Sequence, residues 1–317
     1  MQLQSGMIHV FLTSKLDMNN KMWSYLFYNL FLFISCVQSN QSSVVIRNSS
    51  NSSKTIDTTV QHLAIRKDTL IKKYYNQLYA PVTIKYADSS KATLLVLPGW
   101  NYPDTQWCSK TSLCLKAQKQ GYDLVFVEMQ RSVYLKSYYK QTRKDYTKYP
   151  TRVWLIDSAF KPLFTEQLLD STKPVFVIGL STGGRGAAIL AVDYPDLFSG
   201  AASLSGDFNP LLQKDDPLMI NSIGTFAQHP KLWSGDNNIT LRATEIKVPL
   251  YIGHGMADKV SPVKQSLQFV DTLKKKNPTL TIKTNFPKTA GHNYAYWNSE
   301  VDSVLKFFSS LIKKGDN

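Results

Sequence analysis

A chain of 317 residues can hold one large α/β domain or two small ones, and its hydrophobic share of 43% is that of a globular protein. The 37 Lys and Arg against 23 Asp and Glu give a net charge of +14, which suits anionic polymers, anionic lipids or acidic substrates without choosing among them. Zinc-finger, basic-zipper and single-strand-binding patterns do not occur, which weighs against a nucleic-acid partner despite the basicity.

The first 39 residues read as a signal peptide or lead segment. Lys21 precedes the 16-residue apolar run MWSYLFYNLFLFISCV, short for a membrane span and the right size for a secretory core. Met18 and Met22 stand close to it as further candidate starts. Cleavage after Val37-Gln38-Ser39 and cleavage before Cys36, with lipidation of that cysteine, both fit. The expected location is therefore exported: periplasmic, secreted, or held at the cell surface by a membrane tether through the amino terminus. Residues 40–55 form a polar linker rich in Ser and Asn, in which Asn48 and Asn51 match the glycosylation sequon, as Asn238 does further on. Residues 56–317 show no repeat and no second break in composition and are expected to form one catalytic domain.

Within that domain, residues 81–87 (PVTIKYA) alternate as a half-exposed strand should. Residues 93–99 (TLLVLPG), 123–129 (DLVFVEM), 174–180 (PVFVIGL), 200–206 (GAASLSG) and 248–254 (VPLYIGH) are short continuous apolar runs, suited to strands buried on both faces of a parallel sheet. Between and after them, residues 112–121, 152–170, 183–195, 261–278 and 298–314 carry apolar side chains at three and four spacing, as helices packed on such a sheet do. This succession predicts a doubly wound, mostly parallel α/β fold, with ligands beyond the carboxyl ends of the strands. Cys108 and Cys114 form an even pair that suits a disulfide in an oxidising compartment; two buried thiols fit as well.

Gly179-Leu180-Ser181-Thr182-Gly183 matches G-x-S-x-G between an apolar strand and an Ala-rich helix, the setting of a nucleophile elbow. Glycines flank the serine because a tight strand-to-helix turn leaves no room for Cβ atoms there, and the helix amino terminus favours negative charge. A serine needs a base and an acid to become a nucleophile. Of the five histidines, His9 and His62 precede the sheet and His229 falls in a loop-like stretch. His254 ends a strand and is expected to pack or cap locally. His292 follows the last strand, residues 281–286, on a loop before the final helix, where a base belongs. Asp258, in the turn after residues 248–254, is the expected acid, with Asp207 as a competitor. The developing oxyanion needs two preorganised donors, assigned to the backbone N–H groups of Thr182 and Trp100; the Trp100 side chain is equally a candidate wall of the substrate pocket.

The segments LPGW, GLSTGG, HGMAD and AGHNYAYW, in this order, resemble the esterase branch of the α/β-hydrolase superfamily, which includes S-formylglutathione hydrolases, feruloyl and acetyl xylan esterases and mycolyltransferases. The resemblance spans residues 80–310. It implies a serine hydrolase or acyltransferase working through an acyl-enzyme, with Ser181 as nucleophile, His292 as base and Asp258 as orienter, and with neither cofactor nor metal. HGMADKVSP is also similar to the acid turn of prolyl-oligopeptidase-like serine peptidases, without the large amino-terminal propeller usual there.

Residues 130–152 carry five tyrosines and seven Lys or Arg against the single acid Asp145, a composition that suits a sugar or an anionic ester and adds Tyr134 and Tyr138 to Trp100 as candidate substrate contacts. Residues 209–238 form an insertion that fits either a cap or a structural excursion. The expected function is thus an exported serine carboxylic ester hydrolase, with small-molecule esters and acyl esters of carbohydrates as candidate substrates. A serine peptidase and a noncatalytic polysaccharide-binding protein on the same fold are the alternatives.

Overall fold

The computed structural model describes residues 66–312, so the lead segment, Cys36, the linker, Asn48 and Asn51 lie outside the described residues. The strands are β1 (Thr69–Ile71), β2 (Tyr74–Tyr75), β3 (Leu78–Tyr79), β4 (Val82–Lys85), β5 (Ala92–Leu97), β6 (Tyr122–Val127), β7 (Val175–Leu180), β8 (Gly200–Leu204), β9 (Leu250–Gly253) and β10 (Ile282–Asn285). The helices are α1 (Gln106–Lys110), α2 (Leu113–Lys119), α3 (Arg152–Trp154), α4 (Pro162–Thr165), α5 (Thr182–Asp193), α6 (Pro217–Ile223), α7 (Pro230–Trp233), α8 (Lys264–Lys276) and α9 (Tyr294–Leu311).

Eight strands form one sheet in the order β1-β4-β6-β5-β7-β8-β9-β10. β1 and β4 run antiparallel at one edge, and the strands from β6 to β10 are parallel. The chain passes from β5 to β6 on one side and returns to β7 on the other, so the strand order reverses beside β5. A crevice opens at such a reversal, at the carboxyl ends of the strands.

The continuous apolar runs follow from burial on both faces. Leu95, Leu97, Val125, Val127, Val177 and Ile252 point to one side, against Phe160, Leu190 and Phe269. Leu94, Val96, Leu124, Phe126, Ile178 and Tyr251 point to the other, against Trp107, Trp297 and Phe308. Successive strand residues alternate faces, so a sheet covered on both sides needs an apolar residue at every position.

Three elements differ from the sequence reading. β1 and the β2–β3 hairpin precede residue 81, with Asn76 in the hairpin turn at φ 53°. The helix expected over 152–170 is broken: Pro162 has no N–H to donate, and the chain widens ahead of it so that Lys161 N donates to Ile156 O at 2.8 Å, five residues back. Helix α1 adds a turn before α2, and a Cys108–Cys114 disulfide ties the two together.

That corner matters for placement. Trp107 Nε1 donates to Leu97 O at 3.0 Å, at the end of β5, and Tyr294 Oη donates to Gln106 Oε1 at 2.9 Å. Ser112 donates through both N and Oγ to Asn298 Oδ1, and Lys116 pairs with Asp302 at 2.7 Å, which docks α2 on α9. For so short a covalent loop, chain entropy gives the disulfide about 2 kcal/mol. The double variant Cys108→Ser/Cys114→Ser is expected to lose roughly that much stability in urea unfolding. The oxidised protein treated with a reductant should shift to the same midpoint.

Candidate active site

Ser181 stands at φ 55°, ψ −125°, a conformation that costs a non-glycine residue of order 1–3 kcal/mol and persists only where the surroundings enforce it. The enforcement is visible. Ser181 N donates to Leu204 O on β8 at 2.8 Å, and Arg185 N donates to Ser181 O at 3.1 Å to begin α5. A Cβ on Gly179 would overlap the Gly183 carbonyl, and one on Gly183 would lie 2.6 Å from Leu97 O. Glycine at both positions is what lets the helix start against β5 with the serine at its tip.

His292 Nε2 lies 3.0 Å from Ser181 Oγ, and His292 Nδ1 lies 2.7 Å from Asp258 Oδ2. The carboxylate can only accept, so the Nδ1 nitrogen carries the proton and Nε2 presents its lone pair to the serine hydroxyl. Trp297, itself buried, stands edge-on to the imidazole at 5.0 Å between centroids, and its Nε1 donates to Ser205 Oγ at 3.1 Å.

Asp258 is anchored by its own turn: Oδ1 accepts from Val260 N at 2.8 Å and from Ser261 N at 2.9 Å. Burial alone would raise its pKa, but the hydrogen bonds from His254 and His292 outweigh that and hold the carboxyl well below the usual carboxylate range. His254 packs locally, and it also does something the sequence did not reveal. Fully buried, it accepts from Ser266 Oγ at Nδ1, 2.7 Å away, while Nε2 donates to Ser261 O at 2.8 Å and lies 3.3 Å from Asp258 Oδ2. The four-residue spacing of His254 and Asp258 in HGMAD was the available signal; the turn that folds one back onto the other was not legible.

Asp207 does not compete for His292. It pairs with Arg185 at 2.6 Å, and Arg185 Nη2 donates to Asn237 O at 2.7 Å, latching residues 209–238 to helix α5. Asn238 is buried in that insertion, with Nδ2 donating to Asn209 Oδ1 and Trp233 O, so its sequon nitrogen is occupied. His229 precedes α7, away from these contacts.

The backbone N–H groups of Trp100 and Thr182 are donated to no acceptor among the described residues. The Trp100 side chain is half-buried, 5.1 Å from the Tyr146 ring, and packs against the cluster of Val133, Leu135, Met219, Ile223 and Trp233 formed by the 130–152 segment and the insertion. Tyr134 corrects an expectation: its ring is 1% exposed and packs against Gly186, and its hydroxyl donates to Pro98 O at 2.9 Å, so it buttresses the turn before Trp100 and faces no substrate. Tyr138 gives its hydroxyl to Tyr149 O and is half-buried in the same cluster. Among the described residues no three His, Cys, Asp or Glu side chains form a metal-holding group.

Residues 157–315, half of the chain, match the prolyl oligopeptidase family. The chain belongs to that family. Its fold is that of the α/β-hydrolases, with structural neighbours in their esterase branch, as the sequence motifs implied. An S-formylglutathione hydrolase from Agrobacterium tumefaciens superposes with a TM-score of 0.64 at 13% identity, covering 78% of this chain and 95% of that one. The Pyrococcus horikoshii acylaminoacyl peptidase superposes at 0.60 with 16% identity, covering 80% of this chain and 42% of that one. In sequence, the diacylglycerol acyltransferase/mycolyltransferase Ag85C of Mycobacterium leprae is 24% identical over 165 residues, 44% of this chain and 50% of that protein. This member of the prolyl oligopeptidase family thus spans about half the length of the curated relatives it matches.

Asp258 sets a pH dependence. A carboxyl held below its unfolded value stabilises the fold fully above the unfolded pKa of about 3.9 and loses that contribution as the pH falls through the folded value. Asp258→Asn is expected to cost about 3 kcal/mol near neutrality. Chemical unfolding at a series of pH values should show the gap between the two proteins constant from about pH 7 to about pH 5 and closing below about pH 4.

Proposed function

We propose that this protein is an exported serine carboxylic ester hydrolase acting through an acyl-enzyme, with acyl esters of carbohydrates among its substrates. The observation that carries the reading is the unbroken hydrogen-bonded relay from Ser181 Oγ through His292 to the charged Asp258, set at the tip of a strained elbow beside two uncommitted N–H groups. His292 takes the hydroxyl proton as Ser181 attacks the ester carbonyl, and Asp258 stabilises the imidazolium without itself being protonated. The oxyanion falls to the N–H groups of Thr182 and Trp100, the first at a helix amino terminus that favours negative charge. His292 then returns its proton to the leaving alkoxide, and a water activated by the same imidazole releases the acid.

The lead segment and the Cys108–Cys114 disulfide both support export. The family match favours one second reading, cleavage of peptide bonds, and the two part on substrate. Purified protein is expected to release p-nitrophenol from short acyl esters, to leave fluorogenic dipeptides intact, and to be labelled by a fluorophosphonate. Ser181→Ala should lower ester turnover by about a thousandfold or more and abolish labelling. Equal turnover by that variant would remove Ser181 from the mechanism, and cleavage of the dipeptide in preference to the ester would make the enzyme a peptidase.

A further inference from the structure

Residues 131–150 leave β6 and run past the loop that holds Trp100. They form a fixed platform. Ser132 Oγ donates to Pro150 O at 2.5 Å, Arg152 Nη1 to Tyr134 O at 3.0 Å, and Tyr134 Oη to Pro98 O at 2.9 Å. On the far side, Arg143 N donates to Asn221 O at 2.8 Å and Thr142 Oγ1 to Ser222 O at 2.7 Å, which joins the platform to α6. Its tyrosines are buried or half-buried, and what it turns outward is charge. Seven of its residues are exposed, and all but Ser137 are cations: Arg131, Lys136, Lys140, Arg143, Lys144 and Lys148. The single carboxylate, Asp145, is occupied by Arg143 at 2.6 Å, and the other five cations pair with no carboxylate among the described residues.

This face is coupled to the reacting centre through contacts. Arg131 Nε donates to Asn101 Oδ1 at 3.2 Å, next to Trp100, and Asn101 N donates to Gln130 O at 2.8 Å. The Trp100 ring leans on Tyr146 at 5.1 Å, and the Arg143 guanidinium lies 4.3 Å from the centre of that same Tyr146 ring. Arg131 and Arg143 thus tie the cationic segment to the loop that holds Trp100, so a ligand paired with this segment would lie beside the site.

We infer that this platform is a subsite for an acidic polysaccharide, a chain whose carboxylate or sulfate groups pair with the lysines while one of its acyl esters reaches Ser181. The substrate part of this inference rests on the ester-hydrolase reading; the binding part does not. An anionic membrane is disfavoured because an interfacial face carries exposed apolar side chains, and none of the exposed large hydrophobic residues lies within 131–150. Nucleic acid is disfavoured because the segment projects neither a long helix nor a two-stranded ribbon into a groove, and its rings are not free to stack on bases.

The test compares two proteins in the Ser181→Ala background, with and without Lys136→Gln/Lys140→Gln/Lys144→Gln/Lys148→Gln, by titration calorimetry against polygalacturonate and against heparin. The unaltered platform should bind one or both, with affinity falling steeply between about 50 and about 200 mM salt. The four changes should weaken binding by about tenfold or more and flatten the salt dependence. The polymer held more tightly identifies the anionic group as carboxylate or sulfate. In the active enzyme the four changes should leave p-nitrophenyl acetate turnover and the thermal midpoint unchanged while lowering kcat/KM on an acetylated polyuronate. Equal polymer binding by the two proteins overturns the inference, as does tighter binding of a DNA duplex or of phosphatidylserine vesicles than of either polysaccharide. If the wild-type enzyme turned over no ester, the ester-hydrolase reading would fall and the calorimetry would still decide the platform.

Discussion

Helix α5 begins in contact with the backbone of β5, at a separation that admits a hydrogen on Gly183 and no carbon. From that approach the rest of the site is placed. It leaves the elbow residue a single way to bridge strand and helix, with the Ser181 side chain directed above the sheet. It sets the Thr182 N–H next to the loop that carries Trp100. It also puts Arg185 one turn further along, where its pairing with Asp207 draws the 209–238 insertion over the same end of the sheet. The strain at Ser181 is small beside the burial that α5 gains, since almost every residue of that helix is enclosed.

A second constraint acts from the opposite side. Asp258 receives three N–H groups, two from its own turn and one from His292, and His254 Nε2 lies 3.3 Å from the same Oδ2, so both carboxylate oxygens are held. His254 contributes to that anchorage while being fixed by two other partners, Ser266 and Ser261. The imidazole of His292 is held between this immobile acceptor and the edge of Trp297, which makes its reach toward Ser181 a property of the packed fold and of no single bond.

The parallel sheet and the elbow were legible because both write themselves into local sequence: six-residue apolar runs for strands buried on two faces, and two glycines where Cβ atoms do not fit. The order Ser181, Asp258, His292 was legible because topology sends successive loops to one end of the sheet. What local patterns could not carry was the choice of partner. Asp207 and Asp258 each follow a buried strand, and only the tertiary position of Arg185 takes the first away from His292. Tyr134 and Tyr138 sit in the same tyrosine-rich stretch, and their composition suggested contact with substrate. Burial of the ring makes Tyr134 a support instead, while Tyr138 gives its hydroxyl to the chain and keeps a half-buried ring. The strands before residue 81 are two or three residues long with mixed exposure, too brief for any periodicity to show.

The corner made by α1 and α2 has a bearing on when the candidate site can assemble. It joins the end of β5 to the segment that follows His292, through Gln106 and Tyr294, 188 residues apart, and through Ser112 and Asn298, 186 apart. Ser181 and His292 are themselves 111 residues apart. During synthesis the Ser181 hydroxyl therefore waits for 111 further residues before its imidazole partner exists, and for α9 to dock before that partner is held in place. Helix α9 thus acts as a timing element, and a polypeptide that has not yet reached it lacks the assembled site.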